Sequence, residues 1–273
     1  MNKIFQVTVA VAAFILAAAP QIDAQEQEKE RQPVQEVFQT EMVYPQERGE
    51  VQVTFSPTFA RGGDRRLFQS PLTIEYGLTD KWQVEVEWQA ATFRRQADDG
   101  ETARGSGDLR LGTKYSLMNV RGSDFHTAVG LEVGLPVGNV EKGLGEGFIE
   151  YEPYLVLARD LPRLNRAQVF AQVGVGLLQR VKRPRAEDED EPAAHEFNLN
   201  AGVFVPVRRL VVTGEISWQT NRWNHGGDES HLYVTPGVVW HPFGAWEVGV
   251  GVPVGLTGGA DKFRNVLKLT YEF

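Results

Sequence analysis

From Val51 onward, apolar and polar residues alternate. Val51, Val53, Phe55 and Phe59 are interleaved with Gln52, Thr54, Ser56 and Thr58. Trp82, Val84, Val86 and Trp88 alternate with Gln83, Glu85, Glu87 and Gln89, and Leu109, Leu111, Thr113 and Tyr115 with Asp108, Arg110, Gly112 and Lys114. A period of two puts the two sets on opposite faces of a strand. Carried to the C-terminus, the pattern predicts twelve strands, near 50–60, 67–77, 81–93, 106–117, 124–137, 147–158, 166–180, 195–207, 210–220, 230–241, 245–256 and 263–273. Each is about as long as a tilted strand that crosses a bilayer.

The connections alternate in length. Those at 78–80, 118–123, 159–165, 207–209 and 241–244 are short. Those at 61–66, 94–105, 138–146, 181–194, 221–229 and 257–262 are mostly longer, charged or glycine-rich. Short periplasmic turns and longer external loops are the habit of outer-membrane barrels. The predicted fold is therefore all-β, an antiparallel up-and-down transmembrane β-barrel with both ends of the chain on the turn side. Aromatic residues agree. Tyr76, Trp82, Tyr115, Phe125, Trp240, Trp246, Tyr271 and Phe273 fall near the turn ends, and Phe59, Phe68, Trp88, Phe148, Trp218 and Phe263 toward the loop ends. Two such girdles mark two membrane interfaces.

Composition narrows the choice. Mean hydropathy is −0.30 with 42% apolar residues, and past the N-terminus no apolar run is long enough for a spanning helix. This excludes a helical membrane protein but not a barrel. Lys3, the apolar stretch Val7 to Ala19 and Ile22-Asp23-Ala24 predict a cleavable signal peptide over 1–24. A polar segment, 25–49, is expected to be a flexible periplasmic arm, and 50–273 to be the barrel. There are no cysteines, so no disulfide contributes. Leu269, Tyr271 and Phe273 close the last strand, and this ending resembles the signal read by the barrel-assembly machinery. That machinery, outer-membrane lipid, lipopolysaccharide and a small solute are the expected partners. The net charge of −8 disfavours nucleic acid.

The inner parity collects the candidate chemistry. It holds Glu75, Glu85, Glu87, Asp108, Arg110, Lys114, Glu132, Glu150, Glu152, Glu215 and Lys268, together with Glu247. Unpaired carboxylates in a dry interior are costly, which leaves two readings. Either the lumen is wet and its acidic wall disfavours anions, or the cations and the arm pair the carboxylates in a closed barrel. Gly130, Gly134, Gly174, Gly176, Gly202, Gly237, Gly249, Gly251 and Gly255 share that parity, for room or for curvature. Pro136, Pro153, Pro206 and Pro253 fit a strand badly and predict bulges or strand ends. The loop Lys182-Arg-Pro-Arg185 with Glu187 to Glu191 reads as a solvated loop or as a surface contact to divalent cations or lipopolysaccharide.

Enzyme signatures are sparse. The five histidines lack zincin spacing, and no Gly-x-Ser-x-Gly or phosphate loop occurs. His126 is predicted to face inward, the wrong side for lipid chemistry. No catalytic residue, metal or cofactor is expected.

The segments Gly105-Ser-Gly-Asp-Leu-Arg-Leu-Gly-Thr-Lys-Tyr115, Gly130-Leu-Glu-Val-Gly-Leu-Pro-Val-Gly-Asn139 and Gly147-Phe-Ile-Glu-Tyr-Glu-Pro-Tyr154, with the early Glu47-Arg-Gly-Glu50, resemble the MetA-pathway of phenol degradation group of outer-membrane transporters. The resemblance implies an exported outer-membrane barrel passing small solutes, aromatic or hydrophobic ones included. It brings no catalytic residues. A channel is thus the expected function, against a closed structural or surface-interaction barrel and, third, a lipid-modifying barrel enzyme.

Overall fold

In the computed structural model, residues 33–34, 36–62, 65–96, 102–164, 166–181, 195–221, 230–258 and 260–273 are described. The signal-peptide expectation at 1–24 and the charged loop 182–191 lie outside them. Fifteen strands follow one another: β1 (Val51–Phe55), β2 (Thr58–Gly62), β3 (Arg65–Thr79), β4 (Trp82–Gln96), β5 (Thr102–Gly105), β6 (Leu109–Leu117), β7 (Phe125–Leu135), β8 (Phe148–Leu161), β9 (Ala167–Arg180), β10 (Glu196–Val207), β11 (Leu210–Thr220), β12 (Ser230–Trp240), β13 (Trp246–Gly251), β14 (Val254–Gly255) and β15 (Phe263–Glu272). Three pairs, β1 with β2, β5 with β6 and β13 with β14, are single walls interrupted midway. The walls therefore number twelve, all antiparallel to their neighbours in sequence. The last closes on the first. Tyr271 of β15 pairs Val53 of β1, and Asn265 pairs Phe59 of β2.

Closure gives each of the twelve walls a paired wall on either side, although among the described residues the short β5 pairs with β4 alone. The outward parity is apolar, with Ile74, Val86, Leu111, Val129, Val212, Ile216 and Val250 all exposed. A belt of this extent cannot stay bare in water. It is the lipid-facing surface of a transmembrane barrel. Aromatic side chains rim it on the outside. At the turn end Trp246 lies 4.7 Å from Tyr271, and Tyr271 lies 4.6 Å from Phe273 (ring centroids). At the loop end Phe59 and Phe68 are 4.7 Å apart.

Several expectations are corrected. The connections placed at 61–66 and 94–105 are largely strand, because β2, β3, β4 and β5 keep pairing beyond the last apolar residue. A ladder needs only backbone groups, so polar side chains do not end it. The strand expected over 245–256 is broken at Val252-Pro253. Pro136 follows the end of β7, and Pro206 pairs Val211 of β11 after the pairing with β9 has stopped at Phe204. Pro153 pairs Leu131 of β7, while the ladder to β9 skips it. In each case the missing N–H falls where a ladder bond is absent.

Candidate channel lumen

The segment expected as a loose periplasmic arm runs, from Pro33 on, through the barrel interior. Val34, Val37, Phe38, Met42 and Val43 are buried there against Ala128, Tyr154, Val156, Ala158, Phe170, Phe204, Val211, Val239 and Val266. These apolar side chains cannot remain in water when an apolar inner wall lies within reach. Phe38 shows how the site is shaped. A Cβ built at Gly237, Gly249 or Gly251 would meet its ring at 2.2, 3.2 or 2.5 Å. The inner glycines are thus a socket for one aromatic ring. The same arrangement recurs with Tyr154 over Gly130 and Phe170 over Gly202. The space expected from the glycines exists, but in these places it is filled.

Polar contacts fix the segment. The Glu215 carboxylate accepts the Phe38 N–H, the Gln39 N–H and the Thr40 hydroxyl, each at 2.9 Å. Gln172 accepts the Glu41 N–H at 2.9 Å and Gln83 the Gln46 N–H at 2.9 Å. Lys114 pairs with Glu41 at 3.1 Å and Lys268 with Glu36 at 2.5 Å. The Tyr44 hydroxyl accepts from Gln168 at 2.6 Å, and Gln168 also donates to Asp160 at 2.7 Å. Burial disfavours a charged Glu36, but Lys268, helped by the Thr54 hydroxyl and Lys114, outweighs it and holds the carboxyl below its ordinary range.

Beside and above this segment lies a chamber of about 530 Å³. Glu36, Glu41, Glu75, Glu85, Glu87, Glu132, Glu146, Glu150, Glu152 and Glu196 line it, against Arg110, Lys114, Arg264 and Lys268. Val37 to Met42, Tyr44 and Gln46 form part of its wall. Arg110, near the start of β6 and facing inward, still has a side chain 39% exposed. The chamber is therefore wide enough to be wet. Arg110 bonds Glu132 at 3.0 Å and Glu150 at 2.9 Å. Asn198 donates to Glu152 at 2.7 Å. Among the described residues Glu85 has no hydrogen-bond partner and Glu87 has only Thr73, at 3.4 Å. Lysines and arginine thus satisfy part of the acidic wall and leave the rest to water.

Of the residues chosen from the sequence, Glu75, Glu85, Glu87, Arg110, Lys114, Glu132, Glu150, Glu152 and Lys268 come together in this chamber. Two do not line it. Glu215 lies beneath the N-terminal segment, its oxygens used by that backbone. Asp108 accepts the Gly138 and Glu146 N–H groups at 2.8 and 2.9 Å and so ties down the β7–β8 loop. Glu75 sits at the chamber's lower corner, bonded to Gln83 at 2.6 Å, to Gln46 at 3.3 Å and to Gln52. Leu269, Tyr271 and Phe273 lie on the outer wall, and the Phe273 N–H reaches the Val51 carbonyl. Reasoning from sequence missed Glu36, Phe38, Glu41, Glu146 and Glu196. A signal was present for the first three, since Val34, Val37, Phe38, Met42 and Val43 are apolar residues in an otherwise polar stretch. His126 faces inward, with Nδ1 accepting the Asn119 N–H and Nε2 on Asp160, both at 2.9 Å. Both ring nitrogens are engaged.

An apolar belt, two aromatic rims and a charged interior define the class as a transmembrane β-barrel. Among solved structures the chain is similar to an outer membrane channel from Pseudomonas putida F1 (TM-score 0.65, 11% identity, 87% of this chain and 100% of that one). It is also similar to the KdgM porin (0.53, 10%, 81% and 99%) and to the NanC porin (0.55, 8%, 81% and 98%). At these identities the likeness is one of fold. No family model matches the chain, and no curated protein matches it.

Proposed function

We propose that this chain is an outer-membrane channel for small solutes, closed at rest by its own residues 33–50. The acidic chamber walled in part by that segment carries the reading. The fold neighbours, two porins and a channel, support it. Export through a cleaved signal peptide and assembly by the barrel machinery belong to the same proposal. A wall with more carboxylates than cations favours cations, as charged rings do in pores. The MetA-pathway resemblance adds small aromatic or hydrophobic compounds to the solutes to be tried.

The specific test is the reversal potential in planar bilayers under a salt gradient. The wild type should prefer cations. E85Q/E87Q should lower that preference while the barrel stays folded, since neither carboxylate is held by a cation and Gln keeps size and hydrogen bonding. A folded double mutant with unchanged selectivity would contradict the channel reading of this wall. No current from wild type or from any variant freed of the segment would leave a closed structural barrel.

A further inference from the structure

The outer wall carries a row of cations that the lumen does not explain. Arg61 of β2, Arg66 of β3 and Arg95 of β4 are directly opposed, Arg61 to Arg66 and Arg66 to Arg95. Arg104 of β5 stands beside them, paired with Phe93. All four are exposed. Their parity is that of the lipid face, because two residues nearer the belt on the same face lie Phe59 and Phe93, 57% and 41% exposed, in register with Phe68.

Like charges directly opposite one another destabilise a sheet. Three arginines on adjacent strands, within roughly 10 Å at the usual strand spacing, are therefore an arrangement that wants an anion. Among the described residues none of the four forms an ion pair or a hydrogen bond through its side chain. Position narrows the anion further. A charge on the lipid face is costly at the bilayer midplane and nearly free at the interface, and the phenylalanine row fixes the interface here. Guanidinium groups bind phosphate bidentately, and the aromatic row below offers an apolar surface to acyl chains.

We propose that Arg61, Arg66, Arg95 and Arg104 form a binding site for the phosphate groups of a glycolipid in the outer leaflet, with Phe59, Phe68 and Phe93 beneath its chains. The site rests on the reading of the loop end as the outer side of an outer-membrane barrel.

The mature protein, folded in zwitterionic micelles, is titrated with three probes: lipopolysaccharide bearing its lipid phosphates, the same lipid with phosphates removed, and phosphatidylglycerol. The phosphorylated glycolipid should bind tightest, and more weakly as salt rises. R66Q/R95Q should weaken it roughly tenfold or more, the scale of losing hydrogen bonds to a charged group, with heat-modifiable migration and reversal potential unchanged. If that pair fails to fold, R61Q/R104Q gives the same comparison. Equal binding of the dephosphorylated lipid or of phosphatidylglycerol would overturn the site, as would folded variants that bind like wild type. Because conductance is read separately, a barrel that conducts nothing yet binds through these arginines would sink the channel reading alone.

Discussion

At the scale of single residues, Phe38 and Glu50 illustrate opposite kinds of burial. Phe38 is 8% exposed, and its ring occupies the space left by three missing side chains. Burying such a ring is worth about 1.5–3 kcal/mol. F38A, or G251V, whose Cβ would meet the ring at 2.5 Å, should release the N-terminal segment without altering any lumen carboxylate. The chain has no cysteine, so a cysteine at the buried position 42 reports the release. Its maleimide labelling should quicken by roughly ten- to a hundredfold in either variant. Unchanged protection in both would remove Phe38 as the latch. Glu50, just before β1, has its carboxyl pushed up to about 8, by burial first and then by its hydrogen bond and repulsion with Glu272. A raised acid favours the protonated fold, so its contribution to stability is complete below the ordinary value near 4.5 and is lost as pH climbs through about 8. E50Q should match wild type at pH 4 and be the more heat-resistant above pH 8. A constant difference across that range would contradict the assignment.

At the scale of elements, the strands were largely legible in the sequence and the N-terminal segment was not. Alternation such as Trp82-Gln-Val-Glu-Val-Glu-Trp88 has one solution when one face meets lipid and the other a polar lumen. Strand ends were less legible. β4 runs to Gln96 and β5 begins at Thr102, because pairing continues through arginines that no hydrophobic pattern marks. The segment 33–50 has no period, and its described apolar residues pack without regular spacing into one cluster with the inner wall. Its partners are distant: Phe38 and Glu215 are 177 positions apart. Nothing local in the sequence announces such a contact. The inner carboxylates could be assigned by parity, but whether each faces solute, cation or backbone could not. Glu215 and Glu85 share a parity, and only the folded chain shows that one is saturated by the arm and the other is not.

At the scale of the whole molecule, the account requires an orientation and a gate. With loops outside, K142C, in the exposed turn between β7 and β8, should label on intact cells with a membrane-impermeant maleimide, while K81C, at the β3–β4 turn, should label only after the outer membrane is opened. Reversed labelling would put the arginine row on the inner leaflet. The gate is the more direct matter, because the 530 Å³ chamber and the segment packed into it make opposite predictions for an intact and a shortened chain. The deciding measurement is single-channel conductance in planar bilayers of the mature protein beside one lacking residues 25–46. The account predicts small or rare openings for the intact chain and a severalfold larger, cation-preferring conductance for the shortened one, both folded by heat-modifiable migration. Equal conductance in the two, or none in a shortened chain that is folded, would contradict it.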